Sequence, residues 1–289
     1  MINRFILAIF ALLSSCAPHA IPPAPGPVSY FVGQPYQIDG DWQYPREFTN
    51  YDVTGLGIVI QRPSDSYTIN NELYEPDDLV AASPVLPLPS IVTVTNLVNG
   101  YAMQVRVNER GPNIPGRVIA VSPHVARLLG FPPDGVVEVR VQLNTQASAQ
   151  VQSALGAGPK LTAAPVAGIT AQSLAPPGST QGNGAVQQLI ATDKTGTQTN
   201  GPQLSGQVTI TSPAPGPLWV RISGFGSPYG ASPTVARLYG LPTKIVPVFG
   251  GSRTLFAVEV GPYRSVAAAD AGLRQVLERG VNGPEIVVR

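Results

Sequence analysis

The stretch from residue 91 to residue 112 constrains the fold most, because it has the pattern of two strands joined by a tight turn at Asn99-Gly100. Asn-Gly between alternating apolar residues is a strong hairpin signal. The alternating apolar residues are Val92, Val94, Met103, Val105 and Val107. The second strand ends in charged, amide and Gly-Pro residues at 108–112, which predicts a polar site at one rim of a sheet. On periodicity alone, an ordinary hairpin with a solvated loop is the simpler interpretation.

The composition favours β-rich modules joined by unstructured segments. The 289 residues include 31 Pro and 30 Gly, whereas only 12% are charged, and this mixture is typical of such chains. The net charge of +1 gives no electrostatic case for nucleic acid as a partner. A single Cys excludes an intrachain disulfide and a Cys-based zinc site, and the two distant His residues argue against a His metal site. We expect neither a metal nor a cofactor.

Residues 1–15 have the pattern of a lipoprotein signal peptide. Arg4 is followed by an apolar run at 5–13 that is too short to span a bilayer. Small residues directly before Cys16 look like a bacterial lipobox, which implies cleavage there and lipidation of Cys16, and several acyl chains hold a protein stably on a membrane. Ala17 at the next position looks like sorting to the outer membrane, facing the periplasm. The alternative is a simple secretory peptide with a chance Cys.

The hairpin and the segments after it resemble one known domain. Val94–Gly100, Val105–Pro112, Arg117–Ser122 and a short helix ending at Gly130 resemble, in that order, the double-psi β-barrel of the RlpA (rare lipoprotein A) family. These are bacterial envelope lipoproteins, some of which are lytic transglycosylases. The resemblance implies a mainly β domain over residues 51–145, closed by an alternating strand at 136–143.

An aromatic lead-in at residues 30–50 also resembles the family. We favour a peripheral strand that packs Tyr36, Trp42 and Tyr44 onto the barrel over a sugar-stacking role.

Two acids carry the expected chemistry. Residues 68–75 resemble the family segment that holds its key carboxylate, and Glu72 falls on that position. The resemblance implies that Glu72 is the acid/base, that Glu109 assists it, and that Asn108 and Arg110 bind the glycan. One acid/base side chain suffices in a lytic transglycosylase, because the attacking 6-hydroxyl belongs to the substrate. A role as acid/base would require a partly apolar site that raises the pKa of Glu72.

Some positions depart from the family pattern. Residues 56–61 form an apolar strand in place of an Ala-Ser-Trp-Tyr-Gly segment, and the following loop is short. Ser83 stands where a His is usual, and Glu109 and Ala120 stand where Asp is usual. Serine cannot shuttle protons near neutral pH, and Glu109 is one methylene longer than Asp, which displaces its carboxylate.

Two hypotheses follow. The first is a lytic transglycosylase that cleaves glycan strands lacking stem peptides, forms 1,6-anhydro ends and acts at division sites. The second is a catalytically degenerate, non-enzymatic peptidoglycan-binding lipoprotein. A purely structural tether between membrane and wall is a third interpretation.

Two segments have the composition of flexible chain. Residues 16–29 form a Pro-rich tether, and residues 146–216 are rich in Gln, Ala, Ser, Thr, Gly and Pro with few charges. Such sequences predict a disordered linker. We expect this linker to let two folded domains act without a fixed relative orientation.

Residues 217–289 predict a second, α+β domain. Strands alternate with helices in the order β-α-β-β-α-β, with helices at 232–240 and after Ser265, which is a ferredoxin-like arrangement. With Gly261-Pro262-Tyr263, the segment resembles a SPOR domain, a family that binds peptidoglycan glycan strands stripped of stem peptides. Trp219 and Arg221 share one face of the first strand and are the predicted glycan contacts. The resemblance implies enrichment at the septum, with divisome proteins as further partners.

Overall fold

The computed structural model describes residues 23–132, 135–157, 204–250 and 253–289. The predicted signal peptide, Cys16 and the middle of the predicted linker lie outside these ranges.

The N-terminal part of the chain is mainly β, as the resemblance implies. Its strands are β1 (Tyr36–Ile38), β2 (Asp41–Gln43), β3 (Asp52–Val59), β4 (Ser66–Tyr67), β5 (Leu73–Tyr74), β6 (Val80–Ser83), β7 (Ser90–Asn96), β8 (Tyr101–Arg110), β9 (Arg117–Val121) and β10 (Val137–Leu143), and its helices are α1 (Pro123–Leu128) and α2 (Thr145–Ala154).

Six of these strands close into a barrel. Neighbours pair in the order β8-β6-β9-β3-β10-β7, and β7 pairs back onto β8. The β7–β8 hairpin is the one predicted at Asn99-Gly100, and β10 closes the barrel as expected. Gly100 has a φ of +78°, which suits glycine in such a turn.

The predicted alternation fills the barrel. The five alternating residues of the hairpin lie in its core together with Val137, Val139 and Val141 of β10. The residues next to them lie on the other face of each strand, as a period of two requires, and of these Ile91 and Ala102 are also buried.

The lead-in packs only in part as predicted. β1 and β2 form a hairpin, and the Tyr36 hydroxyl donates to the Pro84 carbonyl at 3.1 Å. Trp42 and Tyr44, however, are 38% and 56% exposed and stack on one another instead of on the barrel. They lie on or just after β2, which pairs with β1 and not with a barrel strand.

The predicted linker contains structure at both described ends. The helix α2 begins after Asn144, whose side chain caps it, and packs against β7 through Ser148, which accepts from the Ile91 N–H at 2.9 Å. The sequence of α2 has no apolar stripe from which a helix could be predicted. Further on, β11 (Thr209–Ile210) pairs with the barrel strand β8. The prediction of disorder is therefore wrong for these two segments.

The C-terminal part has the predicted order of elements. They are β12 (Leu218–Phe225), α3 (Pro228–Arg237), β13 (Thr243–Gly250), β14 (Arg253–Tyr263), α4 (Val266–Glu278) and β15 (Pro284–Val288). The sheet order is β13-β14-β12-β15, and all pairs are antiparallel. Ser265 caps α4 as predicted. The predicted helix at 232–240 overlaps α3, but its predicted start was wrong, because Ser227 caps the helix and Pro228 is its first residue.

The two parts pack against each other. Leu56 and Leu97 of the barrel part belong to the same buried cluster as Leu273 and Ile286. The Arg117 guanidinium makes a bidentate ion pair with Asp270, at 2.7 and 2.9 Å. The expectation of two units without a fixed orientation is therefore wrong in this structure, because apolar burial and directed polar contacts join them.

One polar contact anchors the outer strand of the C-terminal sheet. The hydroxyl of Thr54, on β3, donates to the Val288 carbonyl at 2.8 Å and accepts from the Val288 N–H at 3.2 Å. It therefore satisfies both backbone groups of one residue on β15.

None of the helices in the described ranges is long and apolar enough to cross a membrane. Within the same ranges, no three His, Cys, Asp or Glu side chains lie close enough together to hold a metal ion.

Candidate functional site

A groove opens at one end of the barrel. Its volume is about 560 Å³, and it is lined by Ile58, Val59, Ile60, Gln61, Arg62, Tyr67, Ile69, Ala82, Glu109, Arg110, Gly111, Pro112, Asn113, Ile114 and Ala120. Residues 109–112 of the predicted polar rim thus line a concave site, whereas Asn108 does not. A groove of this size is in the range of small-ligand sites.

A β-bulge sets which side chains of β8 face the groove. Ala81 pairs with Val107, but the next residue of β6, Ala82, pairs with Glu109, so Asn108 is the extra residue. Bulges re-aim side chains at the rims of barrels. Here the consequence is that Glu109 lines the groove, whereas Asn108 is turned away into a buried network.

Glu109 is a groove carboxylate with an arginine partner. Its carboxylate forms an ion pair with Arg62. It also accepts a hydrogen bond from the backbone N–H of Arg110 at 2.7 Å and lies 3.4 Å from the backbone N–H of Ile69. The side chain is 15% exposed. The predicted assisting acid is therefore the one that a ligand in the groove would meet.

Glu72 lies behind this site and outside the lining of the groove. It is 9% exposed, and it pairs with Arg106 through several hydrogen bonds, the shortest 2.6 Å. Asn108 Nδ2 and Asn70 Nδ2 also donate to it, at 2.9 and 2.8 Å.

The protonation state of Glu72 does not fit the predicted acid/base role. Burial raises the pKa of its carboxyl, but the hydrogen bonds and charge of Arg106 and the donors from Asn108 and Asn70 outweigh burial, and the pKa lies below its ordinary value. The acid/base role of Glu72 requires a raised pKa, and the site does not meet this requirement because it holds the Arg106 cation. A carboxylate held in this way is a poor proton donor.

The two predicted glycan-binding residues of β8 have structural partners. Asn108 is 2% exposed and bonded to Glu72. The Arg110 guanidinium donates to the carbonyls of Ser83, Leu86 and Val32 at 3.0, 2.8 and 2.6 Å. These contacts fasten the lead-in and the turn after β6 to the groove wall, so glycan binding by either residue stays a prediction.

The positions that depart from the family pattern have clear roles here. Ser83 is 1% exposed, and its hydroxyl faces the N–H groups of Val85 and Leu86 at 3.4 and 3.3 Å. It therefore supports a turn, where the family's His would bring a titratable ring. Ala120 lines the groove beside Ala82, and the apolar segment at 58–60 forms one wall without filling the opening.

The predicted contacts on the C-terminal sheet form a charged cluster. The buried carboxylate of Glu259 meets Arg221, Arg289 and Lys244 at 3.0, 2.8 and 3.3 Å. The Lys244 ammonium lies 3.5 Å from the centre of the Trp219 ring. Trp219 and Arg221 therefore share the face opposite the helices, as predicted, but both already have protein partners.

Sequence reasoning missed the two arginines that pair with the acids. Arg106 lies between apolar residues of β8 and two positions before Asn108. Side chains two positions apart in a strand share a face, so this spacing could have predicted that Arg106 and Asn108 lie together. Arg62 lies in the loop after β3, and no spacing connects it to Glu109, which is 47 residues away.

Comparisons with known proteins agree with this geometry. Residues 61–141 match the family model of a double-psi β-barrel described as lytic transglycolase. A Pseudomonas aeruginosa protein named endolytic peptidoglycan transglycosylase RlpA is 31% identical over 264 residues, which is 86% of this chain and 74% of that protein.

Two further relatives with the same printed name match the barrel region. The Yersinia pestis protein is 36% identical over 110 residues and the Rickettsia bellii protein 33% over 117 residues. The aligned parts cover 31% and 52% of those proteins, so the chain spans about a third and about half of their lengths. Since the Pseudomonas aeruginosa match extends over most of both chains and the matched family model overlaps the closed six-stranded barrel from β6 to β10, this chain belongs to the RlpA family.

Proposed function

We propose that the barrel is a peptidoglycan lytic transglycosylase that leaves 1,6-anhydro-MurNAc ends, with Glu109 as its acid/base. The observation that carries this proposal is the position of Glu109, which is the carboxylate in the lining of the groove. Glu72 has the supporting role of fixing Asn108 and Arg106 behind the bulge. This assignment exchanges the roles that the sequence predicted for the two acids.

The reaction needs one group that gives and then takes a proton. Protonated Glu109 gives its proton to the oxygen between C1 of MurNAc and C4 of GlcNAc, and the C1–O bond breaks. The C6 hydroxyl oxygen of the same MurNAc bonds to C1, and its proton passes to the Glu109 carboxylate. The products are a 1,6-anhydro sugar and a free C4 hydroxyl, and water is not consumed. Because the nucleophile is intramolecular, a second carboxylate is not required.

A direct assay tests this proposal. The full chain is incubated with purified glycan strands that carry no stem peptides, and the products are analysed by mass spectrometry. We expect fragments that end in 1,6-anhydro-MurNAc, 18 Da lighter than the corresponding hydrolysis products. Hydrolysed reducing ends would instead indicate a glycosidase, and intact strands would reject a catalytic barrel.

One observation favours a second candidate, a non-catalytic peptidoglycan-binding lipoprotein. Both acids are held by arginines, and Ser83 supplies no titratable ring at the groove. Intact strands that nevertheless co-sediment with the protein would support this second function.

We further propose that residues 217–289 form a ferredoxin-like SPOR domain that binds glycan lacking stem peptides. The support is the order of elements and the Trp219 and Arg221 face. Lipidation of Cys16, an outer-membrane location and recruitment to the septum with divisome proteins belong to the same proposal.

This localisation is testable in cells. Trp219→Ala is expected to abolish septal enrichment of a fluorescent fusion, because the indole is the aromatic ring of the proposed contact and aromatic rings provide large apolar contact surfaces. Tyr229→Ala, at a tyrosine that is 88% exposed on α3, is the matched control and should remain enriched. Normal enrichment of Trp219→Ala would remove Trp219 from the proposed glycan contact.

A further inference from the structure

Arg62 lines the groove and is held in an ion pair with Glu109. It belongs to the short loop between β3 and β4, and its Nε donates to the Ser66 hydroxyl at 2.7 Å. One terminal nitrogen donates to the Tyr67 carbonyl, and the other pairs with Glu109. The loop therefore holds two of the three guanidinium nitrogens and leaves the third for a carboxylate.

The pairing matters for the proposed chemistry. A guanidinium next to a carboxylate stabilises the ionised form, whereas Glu109 must be protonated to give a proton to the leaving oxygen. A glycan that occupies the groove must therefore separate Glu109 from Arg62, or the first proton transfer has no donor.

The groove contains one cation that can exchange partners in this way. Among the described residues that line it, the cations are Arg62 and Arg110. Arg110 is committed to three main-chain carbonyls. Arg62 has a carboxylate as its partner, it is 27% exposed, and its other nitrogens are anchored in its own loop.

We propose that Arg62 is a positioning residue that binds the free lactyl carboxylate of MurNAc. The substrate carboxylate replaces Glu109 on the guanidinium, and Glu109 is thereby released to take up a proton beside the glycosidic oxygen. A stem peptide converts the lactyl carboxylate into an amide, which cannot form this ion pair. Arg62 would thus make cleavage depend on a peptide-free muramyl unit, and the inference rests on the proposed function of the barrel.

The guanidinium suits this exchange. Its Nη1 donates to one carboxylate oxygen, and such charge-assisted hydrogen bonds are about twice as strong as neutral ones. Because Ser66 and Tyr67 hold the other two nitrogens, one carboxylate replaces another without a large movement of the loop.

The test uses two forms of one substrate. Peptide-free glycan strands are compared with the same strands after their lactyl carboxylates have been converted to methylamides. We expect the full chain to release 1,6-anhydro ends from the carboxylate form about tenfold faster or more, on the scale of one charge-assisted contact. Arg62→Gln should bring this ratio close to one.

Arg127→Gln is the matched control and should keep the ratio of the wild-type protein, because Arg127 is an exposed arginine paired with Asp77 outside the groove lining. Equal rates on both substrates for the wild-type chain would overturn the proposal. A ratio that Arg62→Gln leaves unchanged would also overturn it.

A second measurement does not depend on turnover or on the stability of the variant. In the wild-type chain, the ¹⁵N-detected Nε–H signal of Arg62 should shift on addition of a GlcNAc–MurNAc disaccharide with a free carboxylate, but not with its methylamide. Identical responses to both disaccharides, or no response to either, would reject the exchange. Failure to cleave any glycan would reject the proposed function, while the Nε–H signal would still decide the role of Arg62.

Discussion

Glu109→Gln is expected to slow the formation of 1,6-anhydro ends by roughly 100- to 10,000-fold, the usual contribution of a general acid/base. Glutamine retains the size of the side chain and an oxygen that can accept from the Arg110 N–H and from Arg62. It cannot give a proton to the leaving oxygen and take one back from the 6-hydroxyl. The measurement is the initial rate of product release from peptide-free glycan, with circular dichroism as a check on the fold.

Asp77→Asn serves as the control for this substitution, because Asp77 is 83% exposed and pairs with Arg127 away from the groove lining. It should cleave at the wild-type rate. A Glu109→Gln variant with normal activity would show that another group donates the proton. If Glu72→Gln were instead folded and inactive, the original assignment from the sequence would be right.

Glu72→Ala is expected to lower the free energy of unfolding by about 3–5 kcal/mol, the typical cost of removing one partner from a buried ion pair. The substitution leaves Arg106 without its carboxylate and takes an acceptor from Asn108 and Asn70. Urea unfolding followed by fluorescence measures this loss. Asp77→Ala removes an exposed pair and should cost about 0–1 kcal/mol. Equal losses in the two variants would show that the Glu72 network does not stabilise the barrel.

The lowered pKa of Glu72 predicts that the free energy of unfolding depends on pH. Because the folded pKa of Glu72 lies below its unfolded value of 4.5, its stabilising contribution is complete above that value and is lost as the pH falls through the folded pKa. The difference in unfolding free energy between wild-type protein and Glu72→Gln should therefore shrink on acidification below about pH 4.5. A difference that stays constant from pH 6 to pH 3 would contradict the lowered pKa.

The sequence predicted those parts of the structure that depend on local patterns. The turn at Asn99-Gly100 and the cap at Ser265 are set by a few neighbouring residues, and both are confirmed. The start of α3 was predicted five residues too late, because Ser232 also suits a helix cap whereas Ser227 provides it. The helix α2 was missed because Val151 is its only buried apolar side chain and Ser148, its other buried residue, makes a polar contact with the backbone of Ile91.

The site was less predictable, because its geometry depends on contacts between distant segments. The motif at 68–75 identified Glu72 and the rim identified Glu109. Which of them faces the groove depends on the single extra residue at Asn108, and an alternating pattern does not reveal a bulge. The partner arginines come from another loop and from the outer face of β8. Burial alone would have raised the pKa of Glu72, but the contacts with Arg106 contribute to lowering it.

The contact between Thr54 and Val288 also bears on how this protein should be divided for experiments. β15 is an outer strand rich in branched residues, and the barrel shields it. A fragment that starts near residue 217 would expose the strand with Ile286, Val287 and Val288 at an open edge of the sheet. Such an edge can pair with strands of other molecules. Isolated C-terminal fragments are therefore expected to self-associate, and their apparent affinity for glycan would then include an avidity that the intact chain lacks.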